Sequence, residues 1–137
     1  MSDSISSNMI NNLLIVNLDE NLDDDYFLNL EEIILNQLRN KFVIGVVLDY
    51  SKVQILDYDL ANKMLNLVEM IKLMGFESVI TGLKPEVVMT LISLGLDNLE
   101  ITTKLNLDLG INYIQNLQQP SLSTEDDVNL DEGNDIE

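Results

Sequence analysis

The side chains of this chain that could do chemistry are mainly carboxylates. Asp19-Glu20 and Asp23-Asp24-Asp25 form the densest acidic group ahead of the C-terminal tail. Paired carboxylates can serve glycoside hydrolysis or hold Mg²⁺ or Ca²⁺. A Ca²⁺ loop needs alternating acids, a central glycine and a terminal glutamate. This stretch has neither the glycine nor the alternation. Acids also suit a helix N-terminus, so the stretch reads as a solvated loop that opens a helix. Asp49 stands near the end of an apolar run, where α/β proteins often place a functional group. It serves equally as the cap of the loop that follows.

The chain has no His and no Cys. That excludes disulfides, thiolate chemistry, Cys/His zinc sites, Ser-His-Asp triads and imidazole acid–base steps. Its six glycines are isolated and form no dinucleotide or Walker-type phosphate loop. Ser51 and Lys52 are adjacent, without a recognised spacing for a lysine-assisted nucleophile. No cofactor and no metal are expected, and the residues speak against an enzyme.

Charge narrows the partners. With 24 acidic and 7 basic residues the formal charge is −17, and the basic side chains are scattered. Phosphate backbones and anionic membranes are repelled by such a chain. No apolar run is long enough to span a bilayer. The first seven residues carry an acid and no base, unlike a secretory signal. The expectation is a cytoplasmic protein with no nucleic-acid and no membrane partner.

Two short segments stand out as a binding rim. Asp57-Tyr58-Asp59 lies at a helix start, and Thr81-Gly82 lies at the end of the next strand. In a parallel sheet, successive strand-to-helix turns share one edge. A phosphate or acidic group is favoured at a helix N-terminus. Asp57 is equally accounted for as a helix cap, and Thr81 as a strand end.

The elements that must position these residues follow from periodicity. Leu13 to Leu18 is a short apolar run and reads as a strand. Asp23-Asp24-Asp25 opens a helix with its apolar stripe at Leu28, Ile33, Ile34, Leu35 and Leu38. Phe42 to Leu48 is apolar on both parities, so it reads as a central strand buried on both faces. A helix starts near Asp57 and stops at Gly75; Phe76 to Thr81 is a strand; Pro85 opens a helix that Gly95 ends. Leu99 to Thr102 is an edge-strand candidate, and a last helix covers about 106–117. Strands alternating with helices predict parallel β-α units.

The 137 residues hold one domain. Residues 1–9, rich in Ser and Asn, read as a flexible N-terminus, and 10–118 as the folded domain. Residues 119–137 read as an acidic disordered tail; Ser121 to Glu137 holds seven acids and no base. The tail's plain use is solubility, or the repulsion of wrong partners. Asn is enriched throughout, a bias that carries no reading at this level.

Residues 13–118 resemble a STAS domain, the fold of bacterial anti-sigma-factor antagonists, and more narrowly the small RsbS-type subunit of the stressosome. The resembling stretches are VIGVVLDYSKVQILDYDLA (43–61), IKLMGFESVITGLKPEVVMTLISLGL (71–96) and ITTKLNLDLGINYI (101–114). The resemblance implies an α/β STAS fold, with a small mixed or parallel sheet and helices packed mainly on one face. It implies a non-enzymatic regulator that binds a switch kinase or anti-sigma partner through the rim at Asp57, Tyr58, Asp59, Thr81 and Gly82. It further implies co-assembly with larger RsbR-like STAS subunits around an RsbT-like serine kinase, as a hetero- or homo-oligomer.

The family's phosphorylated Ser maps onto Tyr58, which a Ser/Thr kinase is not expected to modify. Asp59 could imitate part of a phosphate's charge. Thr81 matches a Thr that is phosphorylated in the larger subunits, which makes it the first acceptor candidate, with Ser51 the weaker second. On this reading Thr81→Asp weakens partner binding while the fold survives. Two other readings stand beside it. One is a stand-alone antagonist, or a homotypic or ligand-binding module, using Leu83, Leu94 and Leu96 as contact surface. The other is a metal-dependent hydrolase built on 19–25.

Overall fold

The computed structural model describes residues 5–96 and 101–118. The acidic tail at 119–137 and the first half of the Leu99–Thr102 candidate strand, Leu99 and Glu100, lie outside the described residues. The chain order is β1 (Ser6–Ile10), β2 (Leu13–Asn17), α1 (Asp24–Leu38), β3 (Gly45–Asp49), α2 (Tyr58–Leu73), β4 (Glu77–Thr81), α3 (Pro85–Ser93), β5 (Thr103–Lys104) and α4 (Leu107–Gln118). The strands form one sheet in the order β1-β2-β3-β4-β5. β1 runs antiparallel to β2, and every other neighbour pair is parallel.

Leu14, Val16, Val46, Leu48 and Ile80 point to the larger core, where they meet Leu30 and Ile34 of α1, Met64 and Leu67 of α2, and Val87 and Leu91 of α3. Leu13, Ile15, Val47 and Val79 point the other way and are closed by Ile114 of α4. Three helices therefore share one face, and α4 alone covers the other. Glycine lets α4 lie close. A methyl on Gly45 would fall 2.7 Å from Ile114 Cγ2, and one on Gly110 would fall 2.5 Å from Thr81 Cγ2.

Three boundaries differ from the sequence expectation. Residues 6–9 belong to β1 and are not a loose segment throughout. Asn11 and Asn12 take φ of 51° and 67°, the left-handed pair that a two-residue hairpin needs and that asparagine tolerates. The central strand begins at Gly45 and not at Phe42. The Asn40 side chain accepts from the Phe42 N–H at 2.9 Å and its carbonyl accepts from the Val43 N–H at 3.1 Å, so a turn holds those residues. Phe42 itself is 62% exposed. The edge strand is Thr103–Lys104, pairing only with Ile80 and Thr81.

The helix starts conform to their caps. Asp23 accepts from the Tyr26 N–H at 2.8 Å and Asp57 from the Leu60 N–H at 2.8 Å. Lys63 ties these two helix starts together, reaching Asp24 of α1 at 2.9 Å and Asp59 of α2 at 3.0 Å.

Tyr50 is fully buried just after β3, and among the described residues its hydroxyl has no hydrogen-bond partner. Burial pushes its pKa far above that of an ordinary tyrosine. An unsatisfied buried hydroxyl costs about 1–3 kcal/mol. Tyr50→Phe is therefore expected to leave stability unchanged or to raise it by about 1 kcal/mol in urea denaturation. A clear loss would reveal a partner for that hydroxyl.

Candidate functional site

The C-terminal ends of β2, β3 and β4 put Asn17, Asp49 and Thr81 in one row across the sheet. All three sit on the parity of Leu13, Val47 and Val79, the face that α4 covers. Asp49 is the hub. Its Oδ1 accepts from the Thr81 hydroxyl at 3.2 Å and from the Ser51 N–H at 3.3 Å. Its Oδ2 accepts from the Ser51 hydroxyl at 3.0 Å. Asp49 thus caps its own loop, as one of its two sequence readings has it, and also accepts from the end of the neighbouring strand.

Thr81 has no solvent-exposed surface. Its carbonyl accepts from the Tyr50 N–H at 2.8 Å, and its methyl lies beneath Gly110. Ser51 is exposed. Gly82 has φ +75°, and a methyl there would fall 2.7 Å from Asp49 Oδ1 and 3.0 Å from Ser51 Cβ. Both the backbone angle and the space therefore require glycine. Lys84, the residue before Pro85, donates its ammonium to the Ser51 carbonyl and closes the cluster from the α3 side.

The other half of the predicted rim lies at the start of α2. Asp57 is spent on its own helix cap. Tyr58 is 57% exposed, and Ile55 in the preceding loop is 78% exposed. Asp59 is paired with Lys63, which reduces the charge it can present. The hydrogen bonds that Lys63 donates to Asp24 and then to Asp59 raise its pKa, so it keeps its proton more firmly than an ordinary lysine. Both halves follow parallel strands of one sheet, β3 and β4, and so lie on the same edge. Among the described residues no hydrogen bond or ion pair joins Asp57, Tyr58 or Asp59 to Thr81 or Gly82.

Sequence reasoning missed the roles of Lys84 and Gly110. A lone glycine inside a helical pattern signals close backbone approach, and Gly110 was such a residue. Nothing in the sequence pointed to Lys84. The acidic group at 19–25 is dispersed: Asp23 caps α1, and Asp19 accepts from the Glu20 N–H. Among the described residues no three Asp or Glu side chains converge as metal ligands. No helix there is long and apolar enough to cross a membrane.

Comparisons with known proteins agree with this architecture. The chain is 36% identical over 70 residues to the RsbT co-antagonist protein RsbRB of Bacillus subtilis, a match covering 51% of this chain and 25% of the relative. The chain thus spans about a quarter of the length of that relative. It superposes with a TM-score of 0.72 and 27% identity on RsbS of Moorella thermoacetica in a Ser-to-Glu variant, over 84% of this chain and 97% of that one. A chain of the stressosome, described as a signal integration and transduction hub, gives a TM-score of 0.73 and 27% identity, over 84% of this chain and 100% of that one. The STAS domain family model matches residues 4–110. With a mixed five-stranded sheet, three helices on one face and α4 on the other, this chain belongs to the STAS domain family.

Proposed function

We propose that the chain is a non-enzymatic, cytoplasmic STAS regulator: an RsbS-like stressosome scaffold subunit. On this reading it co-assembles with larger RsbR-like STAS subunits. It holds an RsbT-like serine kinase or an anti-sigma factor on the rim at Asp57, Tyr58, Asp59, Thr81 and Gly82. The observation that carries the reading is the near-complete overlap with an RsbS chain, 97% of which is covered, against a quarter of an RsbR-type relative. The exposed ring of Tyr58 and the neighbouring Ile55 supply apolar contact area on the rim.

The phosphoryl acceptors on this rim are Thr81 and Ser51, and they differ in access. Ser51 is exposed. Thr81 reaches a kinase only when the rim opens, because it is buried and bonded to Asp49. A phosphate on Ser51 would lie beside the Asp49 carboxylate and the Lys84 ammonium.

The test is reconstitution with a purified RsbR-type subunit and an RsbT-type kinase. Gel filtration is expected to give one large particle that retains the kinase. Tyr58→Ala is expected to lower kinase retention and leave the particle intact. Intact mass and peptide mapping after incubation with ATP would place the phosphate. A chain that stays apart from both proteins would return the stand-alone or homotypic module.

A further inference from the structure

Asp49 holds two hydroxyls of opposite access. Its Oδ2 accepts from Ser51, which is exposed, at 3.0 Å. Its Oδ1 accepts from Thr81, which has no exposed surface, at 3.2 Å. The same Oδ1 also accepts from the Ser51 N–H at 3.3 Å. One carboxylate thus joins a surface group on the β3–α2 loop to a buried group at the end of β4. Whatever displaces that carboxylate acts on both hydroxyls.

Two cations stand close to Ser51. Lys84 donates its ammonium to the Ser51 carbonyl, and Lys52 follows in sequence and is exposed. Toward Gly82 the corner is closed, since a methyl there would fall 2.7 Å from Asp49 Oδ1 and 3.0 Å from Ser51 Cβ. A phosphate on Ser51 Oγ starts beside Asp49 Oδ2 with the bridging proton gone. Asp49 repels it and the lysines attract it. As Lys84 leaves the Ser51 carbonyl for the phosphate, the loop loosens and Asp49 loses both Ser51 donors. A half-buried carboxylate left with one donor turns toward water, and the Thr81 hydroxyl is released.

We propose that Ser51 is a phosphoryl acceptor whose modification unlatches Thr81: the phosphate exchanges Asp49 for Lys84, and Thr81 becomes accessible only after Ser51 is modified. In the transfer, Ser51 Oγ attacks the terminal phosphorus of a nucleoside triphosphate. The bond to the nucleoside diphosphate breaks, and the diphosphate leaves with the electron pair. The hydroxyl proton passes to Asp49 Oδ2, which already accepts it, and on to water. The transfer rests on reading the rim as the surface that receives a serine kinase. The coupling of the two hydroxyls through Asp49 does not.

The test uses the full chain with phosphoserine installed in place of Ser51 during translation, so its outcome is independent of kinase binding. Native-state hydrogen exchange of the Tyr50 N–H, which is bonded to the Thr81 carbonyl at 2.8 Å, reads opening of the corner. Exchange is expected to be about tenfold faster with the phosphate, and Ser51→Ala, which adds no charge, is expected to change it less than about threefold. In an Asp49→Asn background the acceleration is expected to disappear. A phosphorus-NMR titration is a second readout that does not need Asp49→Asn to fold. Lys84→Gln is expected to raise the second pKa of the phosphate, because a cation that favoured the dianion is gone. Equal exchange in the serine and phosphoserine chains would overturn the proposal. So would an acceleration that survives Asp49→Asn, or a phosphate whose titration ignores Lys84→Gln.

Discussion

Gly110→Ala is expected to destabilise the fold by about 1–3 kcal/mol, although alanine in place of glycine would add about 1 kcal/mol in an exposed helix interior. The reason is contact. The new methyl would lie 2.5 Å from Thr81 Cγ2, 3.4 Å from Val79 Cγ1 and 3.6 Å from Val47 Cγ1. Thr81 has little freedom to yield. Its hydroxyl is bonded to Asp49, its carbonyl accepts from Tyr50, and its β-branched side chain has few alternative rotamers. α4 must then rise from the sheet or β4 must shift. Thr81→Ser removes the methyl that is struck and keeps the hydroxyl. The double variant is expected to recover most of the loss, which urea denaturation of the four proteins in the cycle would read. If the two losses simply add, the contact is not the cause.

The same cycle bears on access to Thr81. Gly110 sits in the first turn of α4, whose N-cap Asn106 accepts from the Leu109 N–H at 3.0 Å. Thr81 is therefore enclosed by the β3–α2 loop on one side and by α4 on the other. Any modification of Thr81 needs one of these elements to move, so the rim and the helix on the far face of the sheet are mechanically joined.

How much of this was legible in the sequence varied with the range of the interaction responsible. Local signals read well. Asp23 and Asp57 were readable as helix starts, because a cap and its acceptor geometry lie within three residues. Gly75 and Gly95 marked helix ends for the same reason. The burial of β3 followed from its unbroken apolar run, although a turn at Asn40 delayed its start to Gly45. β1 was hidden because its residues are polar or weakly apolar and its turn is Asn-Asn, without the usual glycine. The asparagine bias that carried no reading in sequence thus supplied the one hairpin of the sheet. At the site, Asp49, Ser51 and Thr81 were each noticed, but their union depends on β3 pairing with β4 across a separation of 32 residues. No local pattern encodes that pairing.

Thr81→Asp illustrates what the long-range contact changes. From sequence, this substitution imitates phosphorylation and leaves the fold intact. In the structure it sets a second carboxylate where the Thr81 hydroxyl now lies, 3.2 Å from Asp49 Oδ1, at a position with no exposed surface. The hydrogen bond is lost, and two like charges share a largely desolvated corner. The expected cost is about 3 kcal/mol or more, in line with an uncompensated buried charge. Thr81→Val keeps the shape and removes only the hydroxyl, so about 1–2 kcal/mol is expected. It also removes the acceptor without adding charge. Thermal melts of both variants, run beside the partner-binding assay, separate the two effects. Partner loss in Thr81→Asp together with a collapsed melt reports damage to the rim and not signalling. A Thr81→Asp protein that melts like the parent would show that the rim opens readily and lets the new carboxylate reach water. That opening is the motion a kinase would need to reach Thr81, so a normal melt would strengthen Thr81 over Ser51 as the acceptor.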